Sequence, residues 1–275
     1  MATGFCSILR GWAICECNEA GDEPFISFRR DSNGFRWDST LFPAPAQWKR
    51  HPPQTAASAV YDFHYFFFDW FAAKRPDLFL LHAAAVSFPP GLVIFPSVRR
   101  AGKSTLVCEL ARRGLTVFCD DVLPMEIRGH SGMALGILPR LRLPLPTSAG
   151  EDYRAFVAAR QGLSRWRWVY LALQDGELAP FGEMLPIAAI VALSRSPRQR
   201  PAKLSELPLA AALRAVIDRN FAEEIPPATI FDELREIAVS ARCFQLDYSD
   251  VEDAAQCLVA EFGGPECPPS VRGSV

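Results

Sequence analysis

Apolar and polar positions along this chain switch between a period near two and one near 3.6, and the switches mark its elements. The densest apolar stretch, Phe63 to Phe71, is interrupted by His64 and Asp69 and reads as a buried helix or strand. It falls short of the roughly 18 apolar residues needed to span a bilayer. Phe79 to Phe88 and Leu92 to Pro96 are β-type runs on either side of a Pro89-Pro90-Gly91 turn. The second feeds a loop that opens a helix at Ser104, with Leu106 and Leu110 on its apolar side and Gly114 as its terminator. A short strand follows over Thr116 to Leu123, and Pro186 to Val191 predicts another.

The C-terminal third is read as mostly helical. Ser205 is placed to cap a helix with Pro208 in its first turn and Leu209, Leu213, Val216 and Ile217 at helical spacing. Ile230, Leu234 and Ile237 predict a second helix, and Cys243 to Tyr248 a short strand. Ser249-Asp250-Val251-Glu252 has the form of a capping box and should open a last helix closed by Gly263-Gly264. The chain therefore divides into an N-terminal β-rich element with a Pro-rich connector (1–55), a main domain (56–262) and a tail (263–275) expected to be disordered. Ser194 to Pro201 reads as an exposed loop within the main domain.

Composition narrows the possibilities. Of 275 residues, 49% are hydrophobic, enough for a substantial core, which removes a disordered chain. The 29 basic and 31 acidic residues leave a net charge of −2, so the basic excess that duplex nucleic-acid binders use against phosphates is missing. The first twenty residues hold Cys6, Cys15, Glu16 and Cys17 without an unbroken apolar stretch, so a secretory leader is not expected and a cytoplasmic location is. Eight cysteines are too sparse for a disulfide scaffold, and Cys15-x-Cys17 has no further ligands at a metal-site spacing. Lysine is confined to Lys49, Lys74, Lys103 and Lys203, the remaining basic residues being arginine.

Lys103 stands out because of its setting, Pro96-Ser97-Val98-Arg99-Arg100-Ala101-Gly102-Lys103-Ser104-Thr105, between an apolar strand and an amphipathic helix. In a phosphate-binding loop the backbone N–H groups wrap the phosphates, the lysine reaches the outer ones, and the Ser hydroxyl completes a Mg²⁺ shell. A full motif would have Gly where this chain has Ser97, which fits only if that residue's φ is negative. Seventeen residues beyond Lys103, the strand ends in Asp120-Asp121. One helix, one turn and one strand fill that interval, so both carboxylates should emerge at the carboxyl end of the strand neighbouring the loop. One could serve a metal ion and the other accept a hydroxyl proton.

These residues resemble the HPr kinase/phosphorylase family. The likeness lies in the His82-Ala83-Ala84-Ala85 strand, the Gly-Lys-Ser loop, Arg113-Gly114 and Asp120-Asp121, covers about 78–146, and is strongest toward relatives found in bacterial peptide-modification clusters. It implies an α/β P-loop kinase core, a mixed sheet with flanking helices, and ATP held by residues 97–105 with Lys103 on the β/γ-phosphates. It also implies Ser104 and Asp121 on Mg²⁺, Asp120 as the base toward a Ser or Thr hydroxyl, and His82 in support of that base. The family's downstream Glu-Ile-Arg-Gly-Leu-Gly motif is missing; Pro139-Arg140-Leu141-Arg142-Leu143-Pro144-Leu145-Pro146 stands there instead, which leaves the reverse reaction without support. Arg140 and Arg142 could contact phosphate or substrate, or be solvated hairpin residues.

The resulting expectation is a Mg²⁺·ATP-dependent kinase for a peptide or small-protein acceptor, with no nucleic-acid or membrane partner and homo-oligomerisation left open. A small-molecule kinase and a nucleotide-binding module without turnover are the rivals.

Overall fold

The computed structural model describes residues 7–12, 26–32, 34–39, 55–98, 101–221 and 225–263. The loop residues Arg99 and Arg100, the Cys15/Cys17 pair, the Pro43–Pro53 connector and the tail beyond Gly263 lie outside the described residues. The fold is mixed α/β, with a mixed sheet and flanking helices.

Strands β1 (Ile26–Asp31) and β2 (Gly34–Ser39) pair as an antiparallel hairpin of the N-terminal element. The aromatic stretch is helical: α1 spans Ala56–Lys74, capped by Thr55, whose side chain accepts from Ser58 N. The run expected as one strand from Phe79 is two, β3 (Leu78–Leu81) and β4 (Ala84–Phe88), with His82 and Ala83 at the break. The break exists because β3 pairs with β7 (Leu123–Glu126) while β4 pairs with β5 (Gly91–Phe95) and β6 (Val117–Cys119). The chain changes sheet arm at His82.

Two arms meet on β12 (Met184–Arg195). Its first residues pair antiparallel with β8 (Ser131–Met133), continuing to β7 and β3. Its later residues run parallel to β5 on one side and to β14 (Arg242–Tyr248) on the other. Strand β13 (Lys203–Glu206) closes the β14 edge. Ser205 therefore lies in a strand and caps no helix: antiparallel pairing with β14 satisfies its backbone, and helix α4 (Leu209–Ile217) starts three residues past β13 with Pro208 at its N-cap. Pattern reading failed here because β13 is a four-residue edge strand with no alternating run of its own.

Helix α2 (Lys103–Arg112) buries Leu106, Val107 and Leu110 against β4 and α6 (Val251–Phe262), and Gly114 (φ 87) ends its turn. Asp250, not Ser249, caps α6 by accepting from Glu252 N and Asp253 N, because the Ser249 hydroxyl is engaged with Arg200. The opposite face of the sheet packs against α5 (Pro227–Ser240) through Ile230, Leu234 and Ile237. A small antiparallel sheet of β10 (Gln161–Arg165), β11 (Trp168–Leu171) and β9 (Arg140–Arg142) is built around α3 (Glu151–Ala159), with β9 before that helix and the β10–β11 hairpin after it. Residues 7–12 are stitched into this body: Ile8 is buried, and Trp12 packs on Phe67 and Phe181 while its Nε1 donates to Leu135 O at 2.7 Å.

Candidate functional site

Strand β5 is buried at all five positions and delivers the chain through Pro96-Ser97-Val98 to the N-terminus of α2. Gly102 sits at the helix N-cap with φ 97, a left-handed conformation costly to any residue with a Cβ. A Cβ there would also collide with Tyr248 Oη, which donates to Ala101 O at 2.6 Å. The end of β14 thus presses the loop into shape. Ser97, in the place of the motif's first Gly, does not have positive φ; its Oγ accepts from Leu193 N of β12 at 3.0 Å and its carbonyl accepts from Lys103 Nζ at 2.6 Å. The Ser side chain is therefore a tie to β12 and not a strain.

Lys103 is buried to 7% exposure, its ammonium also 3.2 Å from His82 Nε2. Burial lowers its pKa, opposed by the attraction of Asp121 and Asp120. The His82 pKa is lowered too, first by burial and then by the Lys103 charge. A neutral imidazole follows. With Nε2 accepting from Lys103, the ring proton belongs on Nδ1, which lies 3.2 Å from Asp121 Oδ1 and donates to it. The result is a chain of contacts, Ser97 to Lys103 to His82 to Asp121.

Asp120 and Asp121 follow β6, but β6 is not the neighbour of the loop's strand: β4, antiparallel to both, lies between it and β5. Both β5 and β6 run antiparallel to β4, so their carboxyl ends still reach the same edge. The half-buried Asp120 accepts from Arg140 N at 2.9 Å through Oδ2, while its buried Oδ1 has no hydrogen-bond partner of good geometry. Burial first, and the Asp121 charge second, push its pKa up to about 6, with the Ser104 side chain and Arg140 only partly opposing.

Arg140 binds both acids, Asp120 through its backbone and Asp121 Oδ2 through its guanidinium at 3.8 Å. Its guanidinium stacks over Tyr61 of α1 at 4.6 Å and Trp168 of β11 at 4.8 Å. On the other side of the site, Arg219 O accepts from His82 N at 2.7 Å, and the half-exposed Phe221 ring lies 5.7 Å from the imidazole.

All these groups converge on a cleft of about 1360 Å³, above the roughly 300–1,000 Å³ usual for one small ligand. Of the residues read from sequence, His82, Val98, Ala101, Gly102, Lys103, Ser104, Thr105, Asp120 and Asp121 line it; Ser97 acts from behind the loop. Tyr61, Trp168, Arg195, Arg219 and Phe221 carry no signal in the sequence and line the cleft from four further segments; Arg140 and Arg142 line it too. Among the described residues, no group of three or more His, Cys, Asp or Glu side chains is placed to hold a metal ion.

No family model matches the chain, and no curated protein matches it. Among solved structures, that of the Hpr(Ser) kinase/phosphatase from Coxiella burnetii matches with a TM-score of 0.32 and 11% identity, over 66% of this chain and 91% of that one. No helix among the described residues is long and apolar enough to cross a membrane.

What the site can do chemically follows from its own charges. A buried ammonium at a helix N-terminus faces two carboxylates across one cleft, a juxtaposition that suits a polyanion carrying its own cation. The oxygen donors Ser104 and Asp121 suit Mg²⁺, which takes one or two protein ligands and fills its remaining positions with phosphate oxygens and water.

Proposed function

We propose that this chain is a P-loop phosphotransferase that takes Mg²⁺·ATP and passes the γ-phosphoryl group to a hydroxyl of a peptide or small protein. The observation that carries the reading is the buried Lys103 ammonium at the start of α2, opposite Asp120 and Asp121 in the same cleft. Lys103 and the loop N–H groups hold the phosphates; Ser104 and Asp121 would hold Mg²⁺, which offsets charge on the transferring group. Asp120 is the base. Its pKa of about 6 lies close to neutral pH, which suits a group that takes up the hydroxyl proton and gives it back. His82 positions Lys103 and Asp121 relative to each other through its two ring nitrogens. A macromolecular acceptor is favoured over a small metabolite by the cleft's size, since a nucleotide alone leaves much of it unfilled.

The test is phosphoryl release or transfer from γ-labelled ATP. Lys103→Ala should abolish ATP binding, and Asp120→Asn should leave binding intact while lowering turnover at least 100-fold. ATP consumption that survives both substitutions would overturn the proposal, and binding without turnover by the unaltered chain would favour a nucleotide-binding module.

A further inference from the structure

One surface beside the cleft is not used by this reading. In the small sheet, Arg165, Trp168 and Arg142 stand in register across β10, β11 and β9, and side chains so paired share one face. Arg142 stacks on the Trp168 ring at 4.8 Å, and Trp168 passes directly to Arg140 at the catalytic acids. At the hairpin tip Arg167 covers Trp166, which is 71% exposed. From Arg142 inward, arginine and aromatic ring thus alternate through Trp168 and Arg140 to Asp121.

The arginines of this strip differ from the surface arginines that are held by carboxylates. Arg75, Arg200 and Arg242 each hold a carboxylate. Arg142, Arg165 and Arg167 are exposed, and among the described residues none of them forms an ion pair. Three unneutralised guanidinium groups in a row, on a chain of net charge −2, favour a ligand that supplies carboxylates. Arginine also pairs bidentately with carboxylates, and stacked rings hold its planar fork ready.

We propose that this strip is the docking surface for an acidic segment of the acceptor polypeptide, which it aligns so that a neighbouring hydroxyl enters the cleft at Asp120. As a substrate site it rests on the phosphotransferase reading; as a binding surface it does not. A polypeptide is favoured over single-stranded nucleic acid because the strip is short and its indole faces are covered, Trp168 by Arg140 and Arg142 and Trp166 by Arg167, where bases would need them for stacking.

Fluorescence anisotropy of the full-length protein would test this with three labelled probes: a decapeptide of alternating Glu and Ser, its Lys-for-Glu counterpart, and a ten-nucleotide oligo-dT. The Glu peptide should bind, weaken as salt rises, and lose at least tenfold in affinity in Arg142→Glu/Arg165→Glu; the Lys peptide should not bind. Arg142→Gln/Arg165→Gln, which removes charge without adding any, should show a smaller loss in the same direction. Failure of the Glu peptide to bind, affinity unaffected by either double variant, or tighter binding of oligo-dT would overturn the assignment. ATP binding measured on the same samples separates the two readings: peptide binding without ATP binding removes the kinase and keeps the strip, and the converse removes the strip alone.

Discussion

Asp120 carries a cost that its position explains. Its buried Oδ1 has no hydrogen-bond partner of good geometry, and its pKa sits near 6 where an ordinary aspartate has about 3.8. An acid whose folded pKa exceeds its unfolded one binds more protons in the native state between those values. Stability therefore falls as pH rises from about 3.8 to 6 and stays lower above that. The shift corresponds to roughly 3 kcal/mol at full burial, and to about 1–3 kcal/mol for a residue partly open to the cleft. Asp120→Asn should accordingly raise the melting temperature at pH 7.5, with the gain vanishing below pH 4; an unchanged melting temperature at both pH values would show that the carboxylate is not strained. In the unaltered protein, turnover should rise with pH through about 6, an acid limb that a pH–rate profile would detect. Gly102→Ala is expected to cost about 1–3 kcal/mol and to weaken ATP binding, measured by denaturant unfolding and calorimetry, because both its φ and the Tyr248 hydroxyl forbid the methyl group.

The elements around the site divide into those that local pattern reveals and those it does not. The succession β5, loop, α2 was legible because apolar run, glycine and helical periodicity follow one another in the chain, and so were Lys103 and the two acids at its far end. The same is true of α5, whose Ile230, Leu234 and Ile237 form one buried stripe. What escaped depends on contacts between distant segments. Arg140 has no spacing signature: it matters because Tyr61, Trp168 and the two acids meet around it, from segments up to about a hundred residues apart. The order of β6, β4 and β5 was misjudged because a hairpin partner can insert between two strands of equal direction, which sequence separation does not record. At α6 the capping box lies one residue from the cap, unlike Ser205 at α4; Asp250→Ala should cost about 1 kcal/mol in chemical denaturation, and Ser249→Ala less, since only Asp250 accepts from the first N–H groups of α6.

At the scale of the whole molecule, stability is distributed beyond the segment that holds the candidate site. Residues 7–12 lie within the expected N-terminal element yet bond to the body: Leu138 N donates to Ile8 O, Arg10 N to Gly136 O, and Trp12 joins the aromatic cluster of α1. Trp12→Ala should therefore lower stability by about 2–4 kcal/mol in denaturant unfolding, less than a fully buried tryptophan because Trp12 is only half-buried. A loss below about 0.5 kcal/mol would mean that this contact is not maintained in solution.

The three parallel strands β5, β12 and β14 end at one rim, where Ser97, Arg195 and Tyr248 stand beside the loop. Their interior halves are closed by backbone pairing and buried side chains, so they tolerate little change. The loop after β5 is held by Gly102 and Tyr248 and the turn after β14 by the Asp250 cap, whereas the segment after β12, 196–202, is mostly exposed. Evolution can therefore change what borders the cleft by rewriting the segment after β12 and the β10–β11 hairpin while inheriting the sheet and the β5–α2 loop unchanged. A laboratory seeking to change what the cleft binds would randomise those same segments first.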